Sequence, residues 1–120
     1  MKSLSIICLS IFICSCAALP EKHIYTEIEI NSSPSKVWEV LADNSNYPNW
    51  NPYHVKVEGQ LSVGKTIDVV INKPNGEVVH IEPKVMNIIP NKLLVWGGGV
   101  SGIFIGVHTF ELHEINKNKT

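Results

Sequence analysis

The folded part of the chain begins with an alternation of apolar and polar residues over residues 23–31. Ile24, Ile28 and Ile30 have one parity, and two glutamates occupy the other. A period of two with one apolar face is typical of a half-buried strand. We therefore predict that this segment forms the first strand of a sheet.

A short amphipathic helix is predicted next. Ser33 is a good N-cap residue, and Pro34 fits the first helical position. Val37, Val40 and Leu41 then follow at i, i+3 and i+4, which gives one apolar stripe. The proline-rich stretch that follows is too broken for a long helix and is interpreted as one turn or a structured loop.

The rest of the chain has the pattern of strands separated by turns. Asn75-Gly76 between apolar runs is a strong hairpin signal, and Pro83 predicts an edge position or a bulge. The glycine-rich residues 97–106 are interpreted as a flexible hairpin connection with an apolar tip. The predicted strands span residues 54–58, 66–72, 78–89, 93–96 and 106–115. Hairpins with helices at one end favour an α+β fold built on a curved antiparallel sheet.

The N-terminus has the order of a bacterial lipoprotein signal. Lys2 precedes an apolar stretch, and Ile13-Cys14-Ser15-Cys16 resembles the lipobox, in which the cysteine is acylated. An uncleaved membrane helix is the first alternative, but this apolar run is shorter than the roughly twenty residues that a spanning helix needs. An ordinary secretory signal is the second alternative.

This interpretation divides the chain into three parts. Residues 1–15 are a lipoprotein signal peptide, residues 16–22 are a tether, and residues 23–120 are one domain. We expect lipidation at Cys16 and a membrane-anchored protein of the bacterial cell envelope. Ala17 after the cysteine resembles the sorting preference for the outer membrane of Gram-negative cells.

Composition narrows the possible partners. The chain carries a net charge of −1, and its ten basic residues are all lysine. Because these lysines are scattered and arginine is absent, we expect no nucleic-acid partner. The three cysteines lie at or before Cys16, so no disulfide is expected in the mature domain.

Four stretches of the chain resemble the START-like, helix-grip (SRPBCC) superfamily, and within it the polyketide cyclase/dehydrase-type domains. They are residues 28–43, with a Pro-x-x-Val-Trp helix; 47–52, with Tyr-Pro-x-Trp-x-Pro; 90–96; and 108–112. The resemblance covers roughly residues 24–115. It implies a helix-grip fold around a ligand cavity.

One departure from that family changes the expected architecture. The family closes with a seventh strand and a long C-terminal helix across the concave face, and this sequence stops before both elements at Thr120. An apolar face without that lid is an association or aggregation liability. Either the gene product is truncated, or a second chain covers the open face.

Motifs for cofactors and metals are weak. Residues 97–102 satisfy Gly-x-Gly-x-x-Gly, but a strand-like stretch follows where a dinucleotide site needs a helix. His108 and His113 are five apart, so on one strand they face opposite sides. No cofactor, no metal site and no catalytic residue set are therefore predicted.

The candidate ligand cavity is assigned to residues expected on the concave face or at its mouth. His108 shares parity with Phe110 and Leu112 and is a possible polar group in an apolar cavity. Trp96 is expected to line the cavity, and Trp50 to brace a loop at its mouth. A hydrogen-bonded histidine and packed tryptophans without a ligand role are the simpler alternatives.

The sequence thus predicts a membrane-anchored lipoprotein that binds a hydrophobic small molecule or lipid. The first alternative is a polyketide cyclase/dehydratase-like enzyme, with His108 as a polar aid. The second alternative is a truncated, non-functional fragment.

Overall fold

The computed structural model of the chain describes residues 21–120. The predicted signal peptide and Cys16 lie outside these residues. The elements, in order, are helix α1 (Pro34–Ala42), a 3-10 helix (Asn44–Asn49), and strands β1 (His54–Glu58), β2 (Asp68–Asn72), β3 (Val78–Ile81), β4 (Lys84–Ile89), β5 (Leu93–Val100) and β6 (Phe104–Glu111). This is the predicted α+β class with antiparallel strands. Within residues 21–120, no helix reaches the length and apolarity needed to cross a bilayer.

The strands form two three-stranded antiparallel sheets, ordered β1-β2-β3 and β4-β5-β6. Pro83 lies between β3 and β4, where one long strand was expected, and it divides that stretch between the two sheets. Backbone bonds still join the sheets: Ile67 N donates to Pro83 O at 2.9 Å, and Val85 N donates to Lys65 O at 2.8 Å. Pro83 therefore lies at a break between two sheets rather than at a bulge in one long strand.

Helix α1 begins where its capping residues predict. Ser33 has the extended backbone of an N-cap (φ −69°, ψ 155°), and Pro34 is the first helical residue. Of the predicted apolar stripe, Leu41 is buried, whereas Val40 is 47% exposed. Trp38 is partly buried and packs against the core as well, so Trp38 and Leu41 together anchor this short helix.

The predicted strand at residues 23–31 is not formed. Ile24, Tyr25 and Ile28 are each at least 80% exposed. Only Ile30 pairs, through two backbone hydrogen bonds with Thr120 of 2.9 and 3.0 Å. A strand needs a neighbour for its N–H and C=O groups, and among residues 21–120 none lies beside the rest of this segment.

The glycine-rich stretch is also not the flexible connection that the sequence predicted. Residues 97–100 complete β5, residues 104–106 begin β6, and the two strands pair without a register break. A Cβ on Gly97 would lie 2.9 Å from the carbonyl oxygen of Gly106, so glycine permits a close approach of the two strands. Gly99, at φ +137°, has a backbone that other residues rarely adopt.

The core lies between the two sheets and the helices. Its largest fully buried side chains are Trp96, Tyr47, Ile67 and Leu94. Trp96 and Leu94 come from the inner face of β5, and Tyr47 comes from the 3-10 helix. The sheets thus supply one wall and the helical segment a partial cover, which positions the site described next.

Candidate functional site

Three of the predicted cavity residues meet on one face of the β5–β6 hairpin. Trp96 pairs with His108, and Leu94 pairs with Phe110, which puts all four side chains on the same side of the sheet. The ring centroids of Trp96 and Phe110 are 5.5 Å apart, and those of His108 and Phe110 are 4.4 Å apart. Trp96 and His108 stack at 6.0 Å.

The 3-10 helix covers one end of this face. Tyr47 is fully buried, 6.2 Å from Trp96 between ring centroids, and its hydroxyl donates to Leu41 O at 3.0 Å. Burial raises the pKa of Tyr47. Trp50 packs on Tyr47 at 4.7 Å and remains 40% exposed. Trp50 therefore lies at the edge of the site and reaches Trp96 only through Tyr47.

The structure adds His54, which the sequence analysis did not single out as a cavity residue. It is the first residue of β1 and is only 4% exposed. Its ring lies 5.0 Å from that of His108 and 5.9 Å from that of Trp96. We refer to Tyr47, His54, Trp96, His108 and Phe110 together as the aromatic cluster.

A β-bulge explains why His54 points inward. The register of β1 on β2 shifts between His54 and Lys56, so that His54 and Val57 are both buried although they differ in parity. Strict alternation would have given one of them to solvent. The sequence of this stretch contains no residue typical of a β-bulge, so the bulge was not predicted.

Asn51 fixes the orientation of the His54 ring. Its side-chain oxygen accepts hydrogen bonds from the backbone N–H groups of Tyr53 (3.0 Å) and His54 (2.9 Å). The amide nitrogen is thereby turned toward His54 Nδ1 at 3.4 Å. Because an amide nitrogen only donates, this arrangement assigns the ring proton of neutral His54 to Nε2.

Burial favours the neutral form of both histidines. Burial lowers the pKa of His54 to about 4, and the nearby His108 contributes a smaller decrease. Burial also lowers the pKa of His108, although this residue is exposed and the effect is correspondingly screened by solvent. No lysine or carboxylate is among the causes of either shift. The site therefore presents neutral imidazoles in an apolar setting.

Leu112 is not brought into the aromatic cluster. It follows the end of β6, is half-buried, and donates its backbone N–H to Lys92 O at 2.8 Å. The structure thus groups Trp96, His108 and Phe110, places Trp50 at the edge, and leaves Leu112 beyond the strand end. Over residues 21–120, no three histidine, cysteine or acidic side chains are arranged to hold a metal ion.

The opposite end of the β5–β6 hairpin is apolar and exposed. We call residues 100–105 the hairpin tip. Val100, Ile103, Phe104 and Ile105 there are between 59% and 77% exposed. Two shallow clefts, of about 340 and 390 Å³, lie elsewhere, beside the 3-10 helix and beside the β2–β3 turn, and neither is lined by the aromatic cluster.

A comparison with protein families assigns the chain to one of them. Residues 21–120 match the family model described as polyketide cyclase / dehydrase and lipid transport. The chain belongs to this family. No curated protein matches the chain.

Solved structures of the same fold support the assignment. A protein of unknown function from Staphylococcus aureus is similar with a TM-score of 0.56 and 19% identity, over 77% of this chain and 63% of that one. A protein from Mesorhizobium loti is similar with a TM-score of 0.55 and 23% identity, over 77% of this chain and 68% of that one. The chain thus spans less than two thirds of the Staphylococcus protein. At these identities the similarity establishes the fold alone.

Proposed function

We propose that this member of the family binds a hydrophobic small molecule or lipid on the inner face of the β5–β6 hairpin. The observation that carries the proposal is the aromatic cluster, which continues without a charged side chain toward the exposed tip. Trp96 and His108 pair first, then Gly98 and Gly106, then Val100 and Phe104, on one face of an unbroken ladder. Apolar walls with few polar groups are typical of small-molecule sites.

The ligand would lie along the open part of this face. Trp96 is only 2% exposed, so the covered end is already filled by protein. Phe104 is 69% exposed, and its ring lies 3.2 Å from the position a Cβ of Gly106 would take. An apolar molecule seated between His108 and Phe104 would remove exposed apolar surface from water, which stabilises a complex by roughly 25 cal/mol per Å².

Anchoring at the bilayer belongs to the same proposal. The signal pattern ending at Cys16 supports an acylated N-terminus, and two or more acyl chains hold a protein stably on a membrane. The protein would then reside in the cell envelope, on the outer membrane in a Gram-negative cell. Its apolar ligands would be available from the bilayer beside it.

Native mass spectrometry of the full chain extracted from membranes tests ligand binding. We expect an added mass that is lost on denaturation and absent from the Phe104→Ser variant. Ile105→Ser is the matched control, because Ile105 is similarly exposed, at 63%, but faces the opposite side of β6. A wild-type protein that carries no added mass, and gains none with a lipid extract, would contradict the proposal.

Anchoring has its own test. We expect Cys16→Ser, or treatment with globomycin, to block maturation and to release the protein from the membrane fraction. Unchanged processing and unchanged membrane association would remove the lipoprotein part and leave the ligand-binding part standing.

A polyketide cyclase/dehydratase-like activity is the second candidate, favoured by the His54–His108 pair. Two neutral imidazoles 5.0 Å apart in an apolar site are chemically able to exchange protons with a bound substrate. In that case His108→Ala should abolish turnover of a poly-β-keto substrate. Its affinity for hydrophobic molecules should differ from that of the wild type by no more than a factor of a few. Equal turnover by His108→Ala and wild-type protein would eliminate His108 as a participant.

A further inference from the structure

The polar nitrogen of His54 that carries the proton has no protein acceptor. His54 is buried, yet the hydrogen bonds of its ring among residues 21–120 are limited to the contact of Nδ1 with Asn51. In the same part of the chain, every side-chain nitrogen or oxygen without contact to solvent has a hydrogen-bond partner. His54 Nε2 therefore keeps some contact with solvent, and its ring lies 5.0 Å from that of His108 in the aromatic cluster.

The surroundings of this donor exclude a strong preference for ions. Lysine and carboxylate side chains do not contribute to the pKa of His54 or of His108. A ligand carboxylate placed there would be buried without a countercharge, which is costly. A pure hydrocarbon would cover the N–H and leave it unpaired, which also costs free energy.

We propose that His54 Nε2–H selects the ligand, and that the ligand is a neutral apolar molecule bearing a hydrogen-bond acceptor such as a ketone, ester or ether oxygen. This inference rests on the proposed ligand-binding function and adds the chemical class of the ligand. Asn51 is the positioning residue, because it holds the imidazole in the tautomer that donates toward the ligand. His108 stays neutral beside it and adds no charge.

The test is displacement of the neutral fluorescent probe 1-N-phenylnaphthylamine by three chain-matched compounds: 2-decanone, undecane and decanoate. A hydrogen bond contributes about 1 kcal/mol net, so we expect 2-decanone to be preferred over undecane by about fivefold beyond their difference in water solubility. Decanoate should displace the probe more weakly than 2-decanone at pH 7. The tautomer itself is read from the imidazole nitrogen shifts in long-range proton–nitrogen correlation spectra.

Two variants separate the donor from packing. His54→Phe keeps an aromatic ring of similar size and should bind the probe while losing the ketone preference. Asn51→Asp keeps an oxygen for the two backbone N–H groups but offers an acceptor to Nδ1. At a pH high enough to keep the ring neutral beside the new carboxylate, the proton should then lie on Nδ1, and Nε2 should no longer donate to the ketone.

The outcomes distinguish this inference from the function on which it rests. Wild-type protein that binds the probe but treats 2-decanone and undecane alike overturns the inference and leaves hydrophobic binding intact. A preference that survives in both folded variants, or a wild-type ring proton found on Nδ1, also overturns it. Failure of every compound and of the probe to bind overturns the proposed function and this inference with it.

Discussion

The two ends of one hairpin face differ in burial although their side chains are equally apolar. At one end, Leu94 and Trp96 are at most 2% exposed. At the other end, Val100 and Phe104, on the same face of the same ladder, are 59% and 69% exposed. The difference lies in what covers each end rather than in residue type.

The cover at the buried end comes from the 3-10 helix and β1. Tyr47 and His54 each place a ring within about 6 Å of Trp96, at 6.2 and 5.9 Å. Within residues 21–120, Val100 and Phe104 have no such cover and remain largely exposed. Packing at the covered end therefore supplies stability, whereas the open end leaves apolar surface exposed to solvent.

The largest predicted effect is at the covered end. Trp96→Ala should lower the free energy of unfolding by about 3–5 kcal/mol, because it leaves a cavity that the packed neighbours fill only in part. Val100→Ala, on the same face of the open end, should change it by less than about 0.5 kcal/mol. Urea denaturation of both variants measures the contrast. Similar losses in both variants would remove the distinction between the two ends.

The second-largest effect on the free energy of unfolding is expected from acid, which acts on His54 at the covered end. The pKa of His54 is about 4 in the folded protein and 6.5 in the unfolded chain, so the unfolded chain binds the proton more readily. Stability from this group is complete above pH 6.5 and is lost as pH falls from 6.5 toward 4. Between pH 7 and pH 5 we expect the free energy of unfolding to fall by about 2 kcal/mol.

The His54→Phe variant is the control for this pH dependence. It should lose most of the slope between pH 7 and pH 5 and retain only the smaller contribution of His108, whose pKa burial also lowers. Denaturation curves at several pH values give the slopes. A variant as sensitive to pH as the wild type would show that His54 is not held neutral by burial.

Tyr47→Phe should give a smaller loss, of about 1 kcal/mol. It removes the hydroxyl that donates to Leu41 O at 3.0 Å and keeps the ring against Trp96. Thermal unfolding of this variant beside Tyr53→Phe separates a specific bond from a general effect, since Tyr53 is 42% exposed. Equal shifts in the two variants would contradict the role assigned to the Tyr47 hydroxyl.

The smallest effect on stability is expected at the hairpin tip. Ile103 is 77% exposed, so Ile103→Ser should change the free energy of unfolding by less than about 0.5 kcal/mol. Binding to vesicles of zwitterionic lipid should weaken if the tip contacts the bilayer. Hydrogen exchange of residues 100–105 with and without vesicles reports this directly, and unchanged exchange would argue against membrane contact.

Local signals predicted much of the fold from the sequence. Ser33 and Pro34 predicted the start of α1 correctly, because Pro34 suits the first helical position, although the Ser33 side chain makes no capping hydrogen bond. The strand at residues 54–58 was predicted with its observed bounds. Pro83 was recognised as an interruption, and the structure shows that it divides the chain between two sheets.

Features that depend on distant partners were not predicted. The strand expected at residues 23–31 has the right alternation but lacks a neighbour over most of its length. The glycines at 97–99 have low strand propensity, yet the pairing of β5 with β6 holds them in a strand. Parity predicted that His108 and Phe110 share a face, and it missed His54 because a bulge reverses the pattern there.

The most direct test of ligand binding on this hairpin face is an NMR experiment on the purified protein with 2-decanone. We expect intermolecular nuclear Overhauser effects from the alkyl chain to Phe104 and His108, and none to Ile105, which lies on the opposite side of the same strand. Contacts to Ile105 and not to His108, or contacts confined to the clefts beside the 3-10 helix and the β2–β3 turn, would contradict it.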